Sequence, residues 1–542
     1  MTIKEKIASK LSSILEQLGV DIPAKDIEIS STKNSNFGDF ATNIAMKLTR
    51  VLHKSPLAIA DDIISKFELD EISKAEKAGP GFINFYIKDE AVQEIIKKVI
   101  DSKGNFGQLN QGKGEKTMLE YVSANPTGAL HLGHARGAAV GDCDARLLKK
   151  CGYDVTREYY INDAGSQVYK LARSIKARYL QELGIEAEVP EDGYHGKDVV
   201  AFAKEIVEKE GDKYKDDSED NLEFFRKKGI ELALGGIKKD LHEFRVDFDN
   251  FTSEKDIRDA GKIDRVLEEL KPYCYQKDGA TFLNTTKDGD DKDRVIIKSD
   301  GSYTYLLPDI AYHKDKFDRG YSWLIDLFGA DHHGYIARIK SSVKSLGYNP
   351  DKLDVDLVQM VRLFKDGKEY KMSKRTGNAV SLKELIEEVG VDAVRFFFVS
   401  RAASQHLDFN LDLAKTMGTV NPVYYCQYAH ARLNAIIEMG TTKYKIDETG
   451  RNLTDPSELQ LMKKMASFPS VVLDAALTLS PYKITIYVRE LASSINEFYT
   501  KCRVLDPEHI ELTESRLGLC LAAKSVLKEG LDLIGVNAPE HM

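Results

Sequence analysis

Over Met1 to Leu18 apolar residues are interleaved with charged ones at helical spacing, and the pattern predicts an amphipathic opening helix. A second helical stretch is expected from Asp39 to about Leu52, and after Gly79-Pro80 the run Gly81 to Ile87 reads as a strand. Together these describe a small α+β module. A polar linker with Gly104, Gly107, Gly112 and Gly114 follows, from Asp101 to Lys116. The periodicity then changes. Thr117 to Val122 is a short apolar strand, Ser123 to Gly128 a loop, Leu130 to Lys150 a helix, and Tyr153 to Ile161 a strand again, which makes a βαβ unit. From about Ser166 to Phe251 the chain reads as charged helix, and from Asp278 to Tyr305 as strands and turns. Leu324 to Leu327 is an apolar strand running into Phe328-Gly329-Ala330-Asp331-His332-His333-Gly334, the kind of Gly-rich stop at which parallel sheets bind ligands. Val358 to Phe364 and Glu369 to Met372 read as two strands about a tight turn. Beyond Leu407 nearly everything is helical, with Asp455-Pro456-Ser457-Glu458 as a helix start and amphipathic stretches over Leu459 to Leu473, Ser480 to Tyr499 and Thr513 to Leu533. No internal repeat is evident.

At 542 residues the chain is too long for one core. A domain size of about 150 residues predicts three or four folding units. With 42% hydrophobic and 30% charged residues the composition is that of a soluble globular protein. No run is long and apolar enough to span a membrane, and the first helix lacks the apolar core of a signal peptide, so a cytoplasmic location without membrane partners is expected. The six cysteines contain no C-x-x-C pair, from which we expect reduced thiols and no structural zinc. A net charge of −9 argues against indiscriminate nucleic-acid binding but leaves room for a specific RNA. Lys149-Lys150, Lys238-Lys239 and Lys463-Lys464 are candidate pieces of a basic stripe, although for any one pair a solvated helix face is the plainer reading.

Two short motifs carry the chemistry. His131-Leu132-Gly133-His134 falls at a loop-to-helix junction, where backbone N–H groups and the positive dipole end suit an anion, and Gly133 leaves room for a nucleotide. Lys371-Met372-Ser373-Lys374-Arg375 lies about 240 residues downstream and offers flexible point charges that can follow a moving phosphate. Taken singly, a histidine at a helix start is more often a cap or a surface residue. Taken together and in this order, the motifs resemble the two halves of the ATP site of class I aminoacyl-tRNA synthetases.

The resemblance narrows to the arginyl-tRNA synthetase family of bacterial type and covers nearly the whole chain. It rests on Glu120-Tyr121-Val122-Ser123-Ala124-Asn125-Pro126-Thr127-Gly128-Ala129-Leu130 leading into the signature, on Tyr160-Ile161-Asn162-Asp163-Ala164-Gly165, on Gly329-Ala330-Asp331-His332-His333, on Val391 to Phe396, and on Asn421 to Arg432. It implies a Rossmann-type α/β catalytic domain with insertions over 106–405, a small α+β domain over 1–105 that binds the outer corner of tRNA, and an all-α anticodon-binding bundle over 406–542. The implied reaction joins arginine to its tRNA through an arginyl-adenylate, consuming ATP and releasing AMP and pyrophosphate. Fixed positive groups and positioning should dominate such phosphoryl chemistry, with Mg²⁺ held mainly by phosphate oxygens and water.

By the same resemblance His131, His134, Lys371 and Lys374 are catalytic, while Gly133, Gly329, Asp331, His332, Met372 and Ser373 bind ATP. Glu120, Ser123, Asn125, Tyr305 and Asp309 hold arginine, whose five-donor planar cation calls for a rigid array of acceptors. Tyr305 and Asp309, four apart, share a face if a helix begins there, although a helix cap beside a core tyrosine is the plainer reading of the residues alone. Phe82 and Asn84 in the first domain, and Tyr425, Tyr428, Arg432 and the last residue Met542 in the third, are the implied tRNA contacts. No protein-held metal is implied, and a monomer is. The chain departs from the family pattern in Leu132 of the signature, where Val or Ile is common, and in Asn410, where Asp is expected; it keeps an intact KMSK, which many members lack. The rivals are a cysteinyl or class I lysyl synthetase, a short adenylyltransferase and a silent RNA-binding paralogue. The missing Cys/His zinc set, the long flanking modules and the intact His and Lys pairs stand against them in turn.

Overall fold

The structure is a computed structural model and describes residues 3–32, 37–330, 334–370 and 380–542. Helix α1 (Ile3–Gln17) turns Ile7, Leu11, Ile14 and Leu15 onto a first core. The sheet of that unit is antiparallel, in the order β1-β2-β4-β3, with β1 Ser30–Ser31, β2 Phe40–Thr42, β3 Ile72–Ala78 and β4 Phe82–Ile87. The stretch expected to be helical from Asp39 opens as β2 instead. Phe40, Ala41 and Thr42 pair with Phe85, Asn84 and Ile83, and this tertiary pairing overrides local helical preference, leaving single helical turns at Ile44–Lys47 and Thr49–Leu52. Helix α2 (Pro56–Ile64) starts where Ser55 Oγ accepts from Ala58 N and Pro56 takes the first position.

Helix α3 (Asp89–Asp101) follows the first sheet in sequence but packs elsewhere. Its Val92, Ile95, Ile96 and Val99 join the core of the C-terminal helices, and Gln93 Nε2 donates to the Leu453 carbonyl at 3.0 Å.

The central sheet is wholly parallel, in the order β12-β11-β5-β6-β7, with β5 Lys116–Glu120, β6 Asp154–Ile161, β7 Asn250–Ser253, β11 Trp323–Gly329 and β12 Leu353–Val358. The chain runs outward from β5 through β6 to β7 and later returns to the other side of β5 as β11. That reversal of strand order opens a crevice beyond the carboxyl ends of β5 and β11. Helix α4 (Leu132–Lys150) is the β5–β6 crossover and is buried nearly all round between layers, the charged Arg136, Asp142 and Asp144 included. Gly141 lets it approach the chain closely, since a Cβ there would lie under 3.0 Å from Cγ, Cδ1 and Cδ2 of Tyr121.

Between β6 and β7 the charged segment forms α5 (Ser166–Glu182), α6 (Lys197–Glu210) and α7 (Glu219–Glu243), with a core of their own around Ile175, Tyr179 and Phe225. After α8 (Glu254–Asp259) come the antiparallel strands β8 (Cys274–Lys277), β9 (Ala280–Leu283) and β10 (Arg294–Ile297), then α9 (Leu306–Asp318) and α10 (Tyr335–Ser345). Beyond β12, the expected tight turn is present at Asp366-Gly367, both at positive φ, between β13 (Val361–Lys365) and β14 (Lys368–Glu369). The parallel neighbour of β13 is β15 (Leu407–Asn410), a strand where helix was expected. Asn410 then caps Leu411–Lys415, its Oδ1 accepting from Leu413 N at 2.9 Å, a role that Asn fills as well as Asp.

The C-terminal part contains α11 (Val391–Phe398), α12 (Pro422–Thr441), α13 (Pro456–Ala466), α14 (Phe468–Leu477), α15 (Tyr482–Lys501) and α16 (Ile510–Leu533). Asp455 and Glu458 form the capping box that starts α13. The single helix expected over Leu459 to Leu473 is two helices, because Pro469 cannot supply the N–H that would continue the first. Fully buried Arg395 of α11 locks this bundle to the central domain. Its Nη2 meets Asp142 Oδ2 of α4 at 2.5 Å, its Nη1 donates to the Phe244 carbonyl and its Nε to the Ile534 carbonyl, both at 3.0 Å. Among the described residues no helix is long and apolar enough to cross a membrane.

Candidate active site

Strand β5 ends in a strained corner. Val122 and Ser123 sit at φ 68° and 37°, left-handed conformations that are costly for residues with a Cβ and tend to persist where a site requires them. The chain then reaches the signature. His131 is the N-cap of α4, its Nδ1 accepting from the N–H of Gly133 at 3.1 Å and of His134 at 3.4 Å. Gly133 permits this, because a Cβ there would come within 3.0 Å of the folded-back ring. With Nδ1 accepting, the ring proton of neutral His131 is on Nε2. The His134 ring stacks on it, centroids 3.6 Å apart and planes 21° apart, and His134 Nδ1 is buried with no hydrogen-bond partner. Burial pushes His134 down to about 4, with the neighbouring His131 adding to the effect, and burial also lowers His131. The pair is therefore neutral at pH 7 and meets an anion as N–H donors backed by a helix N-terminus.

Lys371, Met372, Ser373 and Lys374 lie outside the described residues, as do Asp331 and His332. Their described flanks converge on the signature. His131 forms a β-bridge with Ser381, and Leu382 N donates to the Leu130 carbonyl at 2.9 Å, so the chain leaving the KMSKR segment is tied to the signature loop. Gly329 ends β11 beside β5.

On the other side of the β5 terminus is a buried ionic network. Glu120 Oε2 meets Lys316 Nζ at 2.6 Å, and its Oε1 accepts from Ser123 Oγ at 2.9 Å. Lys316, wholly buried, also meets Asp326 Oδ1 at 2.7 Å. Asp326 Oδ2 lies 2.7 Å from His313 Nε2, while His313 Nδ1 donates to the Asp309 carbonyl at 2.7 Å. Glu120 is thus held from two sides. Sequence reading missed Lys316, His313 and Asp326; the available signal for the first two was the 309, 313, 316 spacing of polar residues along one face of α9.

Tyr305 and Asp309 do share that helix. Tyr305 is 81% exposed at its N-terminus rather than a core tyrosine, and Asp309 lies one turn in, accepting from Tyr335 Oη at 2.8 Å. Burial raises Asp309 to about 6, opposed by the Tyr335 bond and by His313 and reinforced by Glu120 and Glu254. Glu254, buried at the start of α8 and paired with Arg258, is a further acidic residue that sequence reading missed. Tyr160 Oη is buried without a hydrogen-bond partner and feels the charges of Glu254, Asp309 and Glu120, so these acids form one cluster about it. Asn125 stands apart on the surface, its Nδ2 donating to Gln167 Oε1 at 2.9 Å.

At the first unit Phe82 is exposed, whereas Asn84, on the same face of β4, is only 4% exposed. On α12 the Arg432 guanidinium lies 3.6 Å over the Tyr499 ring of α15, and Tyr428 stacks on Tyr424. The C-terminal tail is strapped along α12, since Gln427 Nε2 donates to the Asn537 carbonyl, His430 Nδ1 to that of Pro539 and Asn434 Nδ2 to that of Glu540; Met542 is exposed beyond it.

Family profiles match along the chain: the arginyl tRNA synthetase N-terminal domain at residues 1–87, the catalytic domain of class I (R) tRNA synthetases at 91–437, and the DALR anticodon binding domain at 426–542. The chain belongs to the arginyl-tRNA synthetases. It is 49% identical to arginine–tRNA ligase 1 of Halalkalibacterium halodurans over 97% of this chain and 96% of the relative. Identity to the arginine–tRNA ligase of Geobacillus thermodenitrificans is 48%, over 100% and 99%. The Thermus thermophilus arginyl-tRNA synthetase structure, at 22% identity, shares the fold over the full length of both chains with a TM-score of 0.79. The α+β module, the parallel-sheet domain and the helical bundle are thus the N-terminal, class I catalytic and anticodon-binding domains of that family.

Proposed function

We propose that the chain ligates arginine to tRNA with the residues described above in defined roles. An arginine carboxylate oxygen attacks the α-phosphorus of ATP, the bond to the bridging oxygen breaks, and pyrophosphate leaves. A terminal ribose hydroxyl of tRNA then attacks the adenylate carbonyl, loses its proton and releases AMP. The observation that carries this reading is the placement of the signature histidines and an anionic pocket at the two sides of one strand end.

Glu120, oriented by Lys316 and Ser123, is positioned to receive the α-ammonium. Asp309, with Tyr305 at the mouth and Glu254 and the orphan Tyr160 hydroxyl within, offers the acceptors that a guanidinium fork requires. Lysine would leave some of those acceptors unpaired, which supports discrimination of roughly 10⁴ without an editing domain. His131 and His134 donate N–H groups to the triphosphate, and Lys371 and Lys374 neutralise the departing pyrophosphate. Among the described residues no group of three or more His, Cys, Asp or Glu side chains is arranged to hold a metal. In this reading Mg²⁺ would ride on phosphate oxygens and water, supplying charge neutralisation there. Phe82, Asn84, Tyr425, Tyr428, Arg432 and Met542 are the tRNA contacts in this reading, which takes the protein as a cytoplasmic monomer with units near 1–105, 106–405 and 406–542.

The test is pyrophosphate exchange into ATP with each amino acid in turn, with and without unfractionated tRNA, followed by attachment of labelled arginine. Arginine-dependent exchange with accumulation of arginyl-tRNA is expected; exchange with another amino acid, or none, overturns the reading.

A further inference from the structure

The three inserted helices α5, α6 and α7 pack on a core of their own, yet one side chain leaves it for the catalytic domain. Arg226, on the second turn of α7, is only 3% exposed. Its Nε and Nη2 both donate to the carboxylate of Glu223, at 2.7 Å each, and this fork fixes the plane of the guanidinium. The remaining Nη1 donates to the Asp163 carbonyl at 3.0 Å, two residues past the end of β6. Helix α7 is seated closely enough for this because Gly229, one turn further on, meets α5, where a Cβ would lie 2.7 Å from Ile175 Cδ1.

Asp163 in turn grips the residues on either side of Glu254. Its Oδ2 accepts from Ser253 Oγ at 2.7 Å and its Oδ1 from Lys255 N at 2.9 Å, while Ser253 Oγ caps α8 by accepting from Asp256 N at 3.1 Å. Glu254 belongs to the acidic cluster about Tyr160 Oη. Both bonds that it receives from Arg258 go to Oε1, which leaves Oε2 to accept from a ligand. The insertion also touches the loop after β5 through Gln167 and Asn125, but both of those residues are exposed and the bond is open to water.

Resting on the arginine pocket proposed above, we propose that Arg226 is a positioning residue for amino-acid recognition, holding Asp163 and through it the Glu254 carboxylate in place for the substrate guanidinium. The inserted helices then brace the arginine pocket, and Arg226 is the buried point at which they do so. Without its donor the Asp163 carbonyl turns to another partner, the aspartate moves with it, and Ser253 and Lys255 shift on both sides of Glu254. Guanidinium–carboxylate contacts are directional, so a small displacement of Glu254 weakens arginine binding without altering the phosphate chemistry.

The test is pyrophosphate exchange into ATP by the full chain in the presence of unfractionated tRNA, with arginine and ATP varied in turn. The variants are Arg226→Met, which keeps the length and removes the donors, Arg226→Lys, which keeps one, Glu254→Gln, the combination of Arg226→Met with Glu254→Gln, and Val199→Ala, which loosens the core of the insertion away from the link. Arg226→Met is expected to raise KM for arginine about tenfold, the scale of one charge-assisted hydrogen bond, and to leave KM for ATP and kcat within about twofold. Arg226→Lys should hold the rise to about threefold, and it carries the same test if the methionine variant unfolds the insertion. With Glu254→Gln already present, Arg226→Met should add less than about twofold, because the charge that Arg226 places is gone. Val199→Ala should speed amide hydrogen exchange over the inserted helices at unchanged KM for arginine. The role is overturned if Arg226→Met leaves KM for arginine within about twofold of wild type, if its effect persists in full beside Glu254→Gln, or if Val199→Ala raises KM equally. Wild-type chain that gives no arginine-dependent exchange refutes the ligase reading and this role with it, whereas wild-type exchange with unresponsive variants overturns the role of Arg226 alone.

Discussion

Replacing Lys316 with Met removes the single cation that lies between Glu120 and Asp326. All three side chains are buried, with contacts of 2.6 and 2.7 Å, so water cannot replace the lost charge. Removing one partner of a buried pair costs about 3–5 kcal/mol, because the remaining charge stays desolvated. Here two carboxylates are left, although Asp326 keeps its contact with His313. The chain has one tryptophan, Trp323, on β11 three residues before Asp326, with its indole N–H donating to Asp354 Oδ2 at 2.8 Å, so its fluorescence reports on this sheet alone. With a urea slope of about 3 kcal/mol/M for a domain of this size, the Trp323 transition should move down by about 1–1.7 M. Glu120 loses an anchor in the same step, so the KM for arginine should rise while that for ATP holds. Adding Asp326→Asn should restore part of the midpoint. A shift below about 0.3 M would refute the claim that this network is closed to solvent and holds Glu120.

Asp309 must ionise to bind a guanidinium, so kcat/KM for arginine should fall about tenfold per pH unit below about 6, and a flat profile down to pH 5 would contradict its placement. Because its folded pKa lies above the unfolded value of about 3.9, the same group makes the native state less stable as pH rises from about 4 to 6. His134 behaves oppositely. Its imidazole signals should titrate near pH 4 in the free protein and higher with ATP bound, and its depressed pKa adds stability as pH rises from about 4 to 6.5; a midpoint at or above 6.5 without ATP would refute the buried, stacked geometry. Gly141→Ala gains about 1 kcal/mol of helix propensity but drives a methyl into the Tyr121 ring, and overpacking of about 1–3 kcal/mol should win, lowering the Trp323 melting temperature; a rise would show that α4 has room to move.

The parallel domain was legible because its signals are local. An apolar strand, a glycine-bearing loop and a capped helix recur within forty-odd residues of β5, and the signature histidines fall where that unit must end. What escaped was set by distant partners. Nothing within Asp39 to Leu52 reveals that Phe40 to Thr42 will be drawn into pairing with β4, and nothing within Leu407 to Asn410 reveals β13. The site divides in the same way. Tyr305 and Asp309 could be put on one helix from their spacing, but the partners of Lys316 come from β5 and β11, nearly two hundred and ten residues away in sequence respectively, and only the fold brings them together. Asn84 shows the converse, since the alternation of β4 puts it on the face of exposed Phe82 while neighbouring chain covers it.

Arg395 also sets how this protein comes apart. One guanidinium bonds to the helix that carries the signature histidines, to the end of the long insertion and to the last turn of the bundle. None of these segments can open without stranding buried polar groups in the others, so they should exchange their amide hydrogens as one cooperative unit, with a common opening free energy, while the N-terminal module on its own core exchanges independently. In evolutionary terms, the bundle is not an appendage that can be traded freely, because any replacement must bring carbonyls to meet Arg395 or leave a buried cation against the helix that carries the signature histidines.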